Sequence, residues 1–597
     1  MPTPRFAGSI DLHQLHNEPL PTQVGPEIEC NDAVLYRSGA SACVISGAPR
    51  FVAAADQAVM QRDGAASAFF QAWRQHGDQV FGRLRGDFAV VVVDAERRQV
   101  LLAVDRFSVQ TLCHGQLGPV LHFSDRADRV AAAVDRSIDP QSIFDYLFFH
   151  MIPAPRTIFR AVQRLPMGCG LVLGSGAARP FHHASLAFVE NQRPEFKTEQ
   201  ARFMAILRGS VARELEGQAK VGAFLSGGTD SSTVAGLLCQ ATGRAAPTYS
   251  IGFEAEGYDE MSYARLAAKH FGCEHHEYYV TPDDLARSIP AVAQFHDQPF
   301  GNSSALPSYY CALMAKDDGC SRILAGDGGD ELFGGNSRYS TQTFFEHYQS
   351  LPGWVRQAVE PHCTESSALR RVPGLRQAMG YVRYSKTPMP DRLQDLNLLM
   401  VLGPEQVLTP GFLAAIDPQA PAEHMRDTWS QCEAPSLLNR MLAYDWRYTL
   451  ADSDLPKVRG ATTMAGIEVG YPLLSDELTD FSMGLPPHWK LRPFKLRWFF
   501  KEALRGFLPD EIITKKKHGF GLPFGVWVGR HAGLSKLAKT SLTRLAERGV
   551  VRPEFVRELL DQRLAEQPGY YGEMVWLLLS LEQWLDAHAP TFALDPA

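Results

Sequence analysis

Between residues 220 and 335, short apolar runs alternate with small glycine-rich turns and amphipathic stretches. Val221-Gly222-Ala223-Phe224-Leu225 leads into Ser226-Gly227-Gly228-Thr229-Asp230-Ser231-Ser232, and the pattern then predicts a helix over residues 233–243. Residues 246–253 read as a strand, 261–271 as a helix and 275–280 as another strand. Strand and helix alternating at this spacing predict a parallel sheet with helices on both faces, and ligands are expected outside the carboxyl ends of its strands. Residues 81–94 and 99–107 carry a different signal, β-branched residues clustered and alternating between turns, which predicts antiparallel strands. Residues 336–440 show helical periodicity broken by prolines, so most of their Met and aromatic side chains are expected in packing.

The turn at 226–232 has the composition of an anion cradle. Gly227 and Gly228 permit close backbone approach, and the N–H groups of Thr229 through Ser232, at the start of a helix, present positive partial charge. No lysine follows the glycines, so the GxxxxGK[ST] loop of phosphoryl transfer is excluded. A second string, Ala325-Gly326-Asp327-Gly328-Gly329-Asp330-Glu331-Leu332-Phe333-Gly334-Gly335, again follows an apolar strand. Its carboxylates suit Mg²⁺, which is held by one or two carboxylates plus substrate phosphates. Asp230 and Asp330, one from each loop, are the expected metal ligands; the alternative for the second loop is an acidic surface turn.

Length and charge narrow the classes. At 597 residues the chain exceeds a single core, so two domains are expected. A formal charge of -7, with Lys515-Lys516-Lys517-His518 as the clearest basic run, gives no footprint for nucleic acid. There is no run of 18 apolar residues, and the start Met1-Pro2-Thr3-Pro4-Arg5 lacks a signal-peptide core, so a cytoplasmic protein without a membrane partner is expected. Ten cysteines show no CxxC spacing and read as reduced thiols rather than a zinc site or disulfide framework.

Leu225–Ser232, Ser250–Glu277 and Ala325–Gly335 together resemble the synthetase domain of the asparagine synthetase family, which includes β-lactam synthetases and lasso-peptide macrolactam cyclases. The SGGTDSS loop is similar to that of ATP pyrophosphatases. The resemblance implies an α/β protein in two parts. Residues 1–190 would form a β-rich, glutaminase-like domain of the Ntn-hydrolase (αββα) type. Residues 191–597 would form an ATP pyrophosphatase domain of the adenine nucleotide alpha hydrolase type, a parallel sheet with a helical covering. The implied chemistry uses ATP and Mg²⁺: a carboxylate is adenylated, pyrophosphate leaves, and an amine displaces AMP to give an amide. Ser226, Gly227, Gly228, Asp230, Ser231 and Ser232 are then expected on the phosphates together with Gly326, and Leu225, Ser250 and Gly252 beside the nucleoside. Asp327 stands where asparagine synthetases have Glu and is the candidate base. Lys495–Pro509 resembles the family segment whose lysine stabilises the acyl-adenylate; Arg497 aligns with that lysine and Lys495 lies two positions away, so either is expected to offset the oxyanion.

Departures from the family pattern matter as much. A glutaminase of this type needs an N-terminal Cys with a free α-amine. Position 2 is Pro, the first Cys is Cys30, and no Asn-Gly-Glu string is present, so a scaffold without glutaminase activity is expected. Residues 452–476 keep Lys457, Val458, Glu468 and Pro472 of the family segment. They carry Arg459-Gly460 for Asp-Arg, Gly470 for Arg and Ser475 for Asp, which argues against a small amino-acid substrate. Lys515–Trp527 resembles the closing Gly-Phe segment, with Lys515–Lys517 as a pyrophosphate contact or as solvated charge. Three readings stay open: an amide synthetase joining a small-molecule or peptide carboxylate to an amine acceptor, with cyclisation in the lasso or β-lactam manner as one form of it; an ammonia-dependent asparagine synthetase; and a non-catalytic nucleotide-binding homologue. A homodimer or a biosynthetic partner protein is compatible with each.

Overall fold

The computed structural model describes residues 2–594 apart from 17–25, 185, 191–192, 256, 350, 361–380, 383, 494 and 517–520. The alternation in the N-terminal half produces a layered body. Phe88–Asp94 and Gln99–Val104 pair antiparallel, with Val91 opposite Leu102, inside a six-stranded sheet. Successive side chains of a strand point to opposite faces. Val90 and Val92 accordingly pack with Phe69, Phe70 and Trp73 of the helix Ala65–His76. Val91 and Val93 meet Phe6, Ile10, Leu121 and Phe123 from a second, five-stranded sheet. Ala127–Ala133 covers that second sheet, giving helix, sheet, sheet, helix. The strand expected from residue 81 starts only at Leu84, and Gly77–Arg83 is a 3-10 turn.

Val221–Phe224, Pro247–Phe253, Glu274–Val280, Arg322–Leu324 and Glu468–Gly470 form an all-parallel five-stranded sheet. Val221–Phe224 is central. The chain steps from it to Pro247–Phe253 and Glu274–Val280 on one side, then returns to place Arg322–Leu324 on the other. The order therefore reverses between Val221–Phe224 and Arg322–Leu324, and a crevice opens where strand order reverses. Both glycine-rich loops leave the strands that flank this point. The helix after the first loop spans Thr229–Thr242, four residues earlier than the sequence pattern predicts, with Asp230 in its first turn, where a negative charge suits the helix dipole. Ser337–Gln349, Leu437–Asp445, Leu455–Ala465 and Pro568–His588 supply the helical covering.

Ion pairs tie the two halves. Arg106 meets Asp476 at 3.2 Å and Asp480 at 2.7 Å, and the buried pair Arg164–Asp452 closes at 2.6 Å. Among the described residues no helix is long and apolar enough to cross a membrane. The described cysteines are free thiols; Cys363 lies outside the described residues.

Lys490, behind Gly334, is fully buried and donates to Asn439 Oδ1 at 2.8 Å. Burial pushes its pKa down to about 7, against a weaker opposing pull from Glu190. Between about pH 7 and the ordinary lysine range the unfolded chain then holds a proton that the folded chain lacks, so stability rises with pH across that window, by at most about 1.4 kcal/mol per unit. Urea unfolding of wild type and Lys490→Met from pH 7 to 10 checks this. The wild type is expected to gain on the variant as pH rises; parallel curves would mean that the ammonium stays charged in the core.

Candidate active site

The two loops close around a cavity of about 1110 Å³ at the carboxyl ends of the central strands. Gly227 has φ +71, and a Cβ there would lie 2.4 Å from the Ala264 backbone N, so only glycine lets the loop rest against the helix Met261–Phe271. The Ser226 N–H donates to Ser231 Oγ at 3.1 Å, and the two hydroxyls lie 3.0 Å apart, which holds the turn closed under its own amides. Leu225, Ser226, Gly228, Asp230, Ser231, Ser250 and Gly326 line the cavity as expected.

Three expected residues do not. Gly227 supports the turn from beneath. Ser232 is fully buried: the early helix start turns its side chain into the core, and its N–H is already spent on Gly228 O at 3.1 Å. Gly252 lies against the Tyr279 ring of the neighbouring strand, which would be 2.5 Å from an added Cβ.

Asp230 and Asp330 converge from the two loops. Gly329 makes room for this, since a Cβ there would lie 2.3 Å from Asp230 Oδ1. Between the carboxylates sits the Arg497 guanidinium: Nη1 is 2.5 Å from Asp230 Oδ2 and 2.8 Å from Asp330 Oδ1. Arg497 caps the helix Trp498–Ala503 with φ +50, an uncommon conformation for a side-chain-bearing residue, and its N–H donates to Gly334 O at 3.2 Å. Asp230 Oδ1 is buried without a hydrogen-bond partner. Two converging carboxylates with a cation between them and an oxygen to spare are a donor set that fits Mg²⁺. Lys495 is exposed at the rim, so Arg497 is the residue seated on the carboxylates.

Asp327 lines the same cavity beside Lys457, whose Nζ is 3.6 Å from Asp327 Oδ1 and 2.9 Å from Asp454 Oδ1. Burial pushes the Asp327 carboxyl up, and Lys457 opposes this. For Lys457 burial works against the charge, but Asp454 and Asp327 outweigh it and hold the ammonium above the ordinary lysine range. Glu331 also lines the cavity; burial, then Asp454 and Asp445, push it up to about 8. Lys515 forms part of the wall, paired with Glu260 at 3.0 Å and lying 4.4 Å from the centre of the Tyr263 ring, and Lys516 lines the cavity as well. Lys517 and Gly519 lie outside the described residues.

Sequence reasoning kept Lys457 only as framework and passed over Asp454 and Glu331. The available signal was an acid three residues before Lys457, on one helical face. The altered positions after Lys457 serve packing. Arg459 donates to Val109 O at 2.8 Å and Thr111 Oγ1 at 2.9 Å across the two halves. A Cβ on Gly460 would strike the His296 ring at 2.4 Å, one on Gly470 would strike Glu214 Oε2 at 2.3 Å, and Ser475 Oγ meets Ser210 Oγ at 2.7 Å.

Comparisons with known proteins agree with this geometry. The family model described as asparagine synthase matches residues 202–586, and the glutamine amidotransferase domain model matches residues 54–183. The chain is 22% identical to asparagine synthetase [glutamine-hydrolyzing] 1 of Bacillus subtilis (strain 168), covering 86% of this chain and 79% of that one. It is 25% identical to a putative asparagine synthetase [glutamine-hydrolyzing] of Mycobacterium tuberculosis (strain ATCC 25618 / H37Rv), covering 88% and 80%. Amidase chry2 of Gibberella zeae is 21% identical over 83% of this chain and 78% of its own length. With a cavity built from the glycine-rich loop and the acidic loop, and with a family match over well over half its length, the chain belongs to the asparagine synthase family of ATP-dependent carbon–nitrogen ligases.

Proposed function

We propose that the protein activates a carboxylate as an acyl-adenylate and passes the acyl group to an amine, without making ammonia from glutamine itself. The observation that carries this reading is the convergence of Asp230, Asp330 and Arg497 on one cavity with the phosphate loop. The loop amides and the first turn of Thr229–Thr242 bind the phosphates. Asp230 and Asp330 would hold Mg²⁺, which when bound neutralises charge on the departing pyrophosphate. A substrate carboxylate oxygen bonds to the α-phosphorus, and the bond from that phosphorus to the bridging oxygen breaks. The amine nitrogen then bonds to the acyl carbon, the carbon–oxygen bond to AMP breaks, and the amine proton passes to Asp327. A carboxyl pushed up by burial is suited to that last step. Arg497 carries the charge that offsets the oxyanion.

The four thiols of residues 1–190 support the absence of glutaminase chemistry, because a nucleophile needs its thiolate. Burial pushes Cys30, Cys43 and Cys113 up, and Cys169 up to about 12. A second reading is asparagine formation, which the names of the relatives favour; those names also carry glutamine hydrolysis, and the ammonia-dependent form of this reading comes from Pro2 standing where the nucleophilic Cys is needed.

One experiment separates these. Purified protein is incubated with Mg-ATP, aspartate or a pool of amino-acid and peptide carboxylates, and ammonium, glutamine or organic amines, and followed by phosphorus NMR and glutamate release. AMP and pyrophosphate are expected, with no release of glutamate. ADP and phosphate would overturn the adenylating reading, thiol-sensitive glutamate release would overturn the missing glutaminase, and turnover with aspartate and ammonium would favour the second reading.

A further inference from the structure

The two helices that carry the glycine-rich loop meet closely enough at their far ends for two thiols to touch. Gly236, one turn before Cys239 in the helix Thr229–Thr242, faces the Phe271 ring at the end of the helix Met261–Phe271, and that ring would lie 2.5 Å from an added Cβ. The close approach leaves Cys239 Sγ 3.6 Å from Cys273 Sγ, and among the described residues no other two thiols are in such contact.

Backbone hydrogen bonds fix both cysteines. The Cys239 carbonyl accepts the Gly243 N–H at 3.0 Å where the first helix ends. Gly272 ends the second helix with φ +66, the Cys273 N–H donates to Ala268 O at 2.9 Å, and the Glu274 N–H donates to Ala246 O at 3.0 Å as the next strand begins. Closing 3.6 Å to the S–S bond length of about 2.05 Å asks each sulfur to move by only about 0.8 Å. The pair is also open to solvent. Both cysteines are half-buried and the flanking Gln240, Gly272 and Glu274 are exposed, whereas Cys43, Cys113, Cys169, Cys311, Cys320 and Cys432 are buried.

Such a pair exchanges with a low-molecular-weight disulfide, and the geometry sets the order of attack. The hydrogen bond from the Cys273 thiol holds Cys239 below the ordinary thiol range, against the opposing effect of burial, while Cys273 on the donating side is pushed up; Cys239 is therefore the attacking thiolate. Its sulfur, with the proton released to solvent, bonds to one sulfur of the incoming disulfide, the S–S bond of that molecule breaks, and one thiolate leaves and takes up a proton. Cys273 then gives up its proton and bonds to Cys239 Sγ, and the second thiolate leaves and is protonated in turn. The two cysteines are oxidised and the incoming disulfide is reduced to two thiols.

We infer that Cys239 and Cys273 are a reversible disulfide site that takes a low-molecular-weight disulfide, of the glutathione disulfide class, as its oxidant. The bond ties together the two helices under the glycine-rich loop, whose Gly227 already rests against Ala264 of the second one. It joins positions 34 residues apart, which disfavours the unfolded chain. The inference does not depend on the reaction carried out in the cavity.

The test incubates the full reduced chain with glutathione disulfide, then quenches with acid, alkylates the remaining thiols and maps the peptides by mass. Wild type is expected to lose two of its ten thiols to one cross-link between the peptides that carry Cys239 and Cys273, and to recover both with excess reductant. Thermal unfolding is expected to shift to higher temperature on oxidation and to return on reduction. Cys273→Ser, which lacks the second thiol, is expected to retain glutathione on Cys239, and Cys239→Ser to form no cross-link and show no thermal shift. Wild type whose two thiols still alkylate in excess glutathione disulfide, pair with other cysteines, or stop at the glutathione adduct would overturn the inference, whether or not either serine variant folds. A cross-link that leaves thermal unfolding unchanged would overturn its bracing of the helices.

Discussion

Asp230→Asn and Asp330→Asn are each expected to abolish the gain in ATP affinity that Mg²⁺ confers and to lower AMP formation by about 10²–10³-fold, the cost of removing one preorganised electrostatic contact. The geometry gives the reason. The two carboxylates come from separate loops, share one Arg497 nitrogen, and form a single charge-binding unit. Groups that act as a unit are not additive, so the double variant loses little more activity than either single one. Stability behaves differently. Each single variant leaves Arg497 with one partner, whereas the double variant leaves a buried guanidinium without either, and breaking a buried pair costs about 3–5 kcal/mol. ATP titration with and without Mg²⁺, with thermal unfolding as the control, checks both parts. A folded Asp330→Asn that keeps the magnesium-dependent affinity would reduce the acidic loop to a surface turn.

Arg497→Gly separates backbone from charge. Glycine accepts the φ of +50 at this position without strain, which contributes up to about 1 kcal/mol in favour of the variant. Against it, Asp230 and Asp330 lose their shared cation and face each other as like charges in a buried site, which outweighs the backbone gain. The variant is therefore expected to be less stable than wild type in metal-free buffer and to be rescued by Mg²⁺ alone, without nucleotide. The wild type, whose guanidinium already fills the position between the acids, is expected to show little response. Adenylation falls by about 10²–10³-fold, because the metal replaces the charge at the acids but not at the oxyanion. Thermal unfolding over a magnesium series decides the matter: equal responses of the two proteins would mean that Arg497 does not stand in the cation position.

The relation between sequence and site follows from the same residues. Local pattern determined the strand, glycine turn and helix around Ser226–Ser231, and the acidic loop around Asp327 and Asp330. Each needs only a short apolar run and residues that tolerate close backbone approach, information carried within about a dozen positions. Alternation of β-branched residues likewise determined the antiparallel pairing of Phe88–Asp94 with Gln99–Val104.

Tertiary structure decided the rest. That Arg497 rather than Lys495 serves the acids depends on where a short helix 267 residues beyond Asp230 is docked, and no local spacing encodes that. That Ser232 is buried while Ser231 faces the cavity depends on the helix starting at Thr229, a boundary that sequence periodicity locates only to within a few residues. Arg459, Gly460 and Gly470 read in sequence as departures from charged family positions, and only the fold shows what they pack and bond against: Thr111, His296 and Glu214. A second cavity beside Asp454 is assembled from Phe149, Tyr258, Tyr448 and Gly569, residues far apart in the chain. Periodicity reports which face of an element is apolar, but only the packing of distant elements determines which of those faces enclose a cavity.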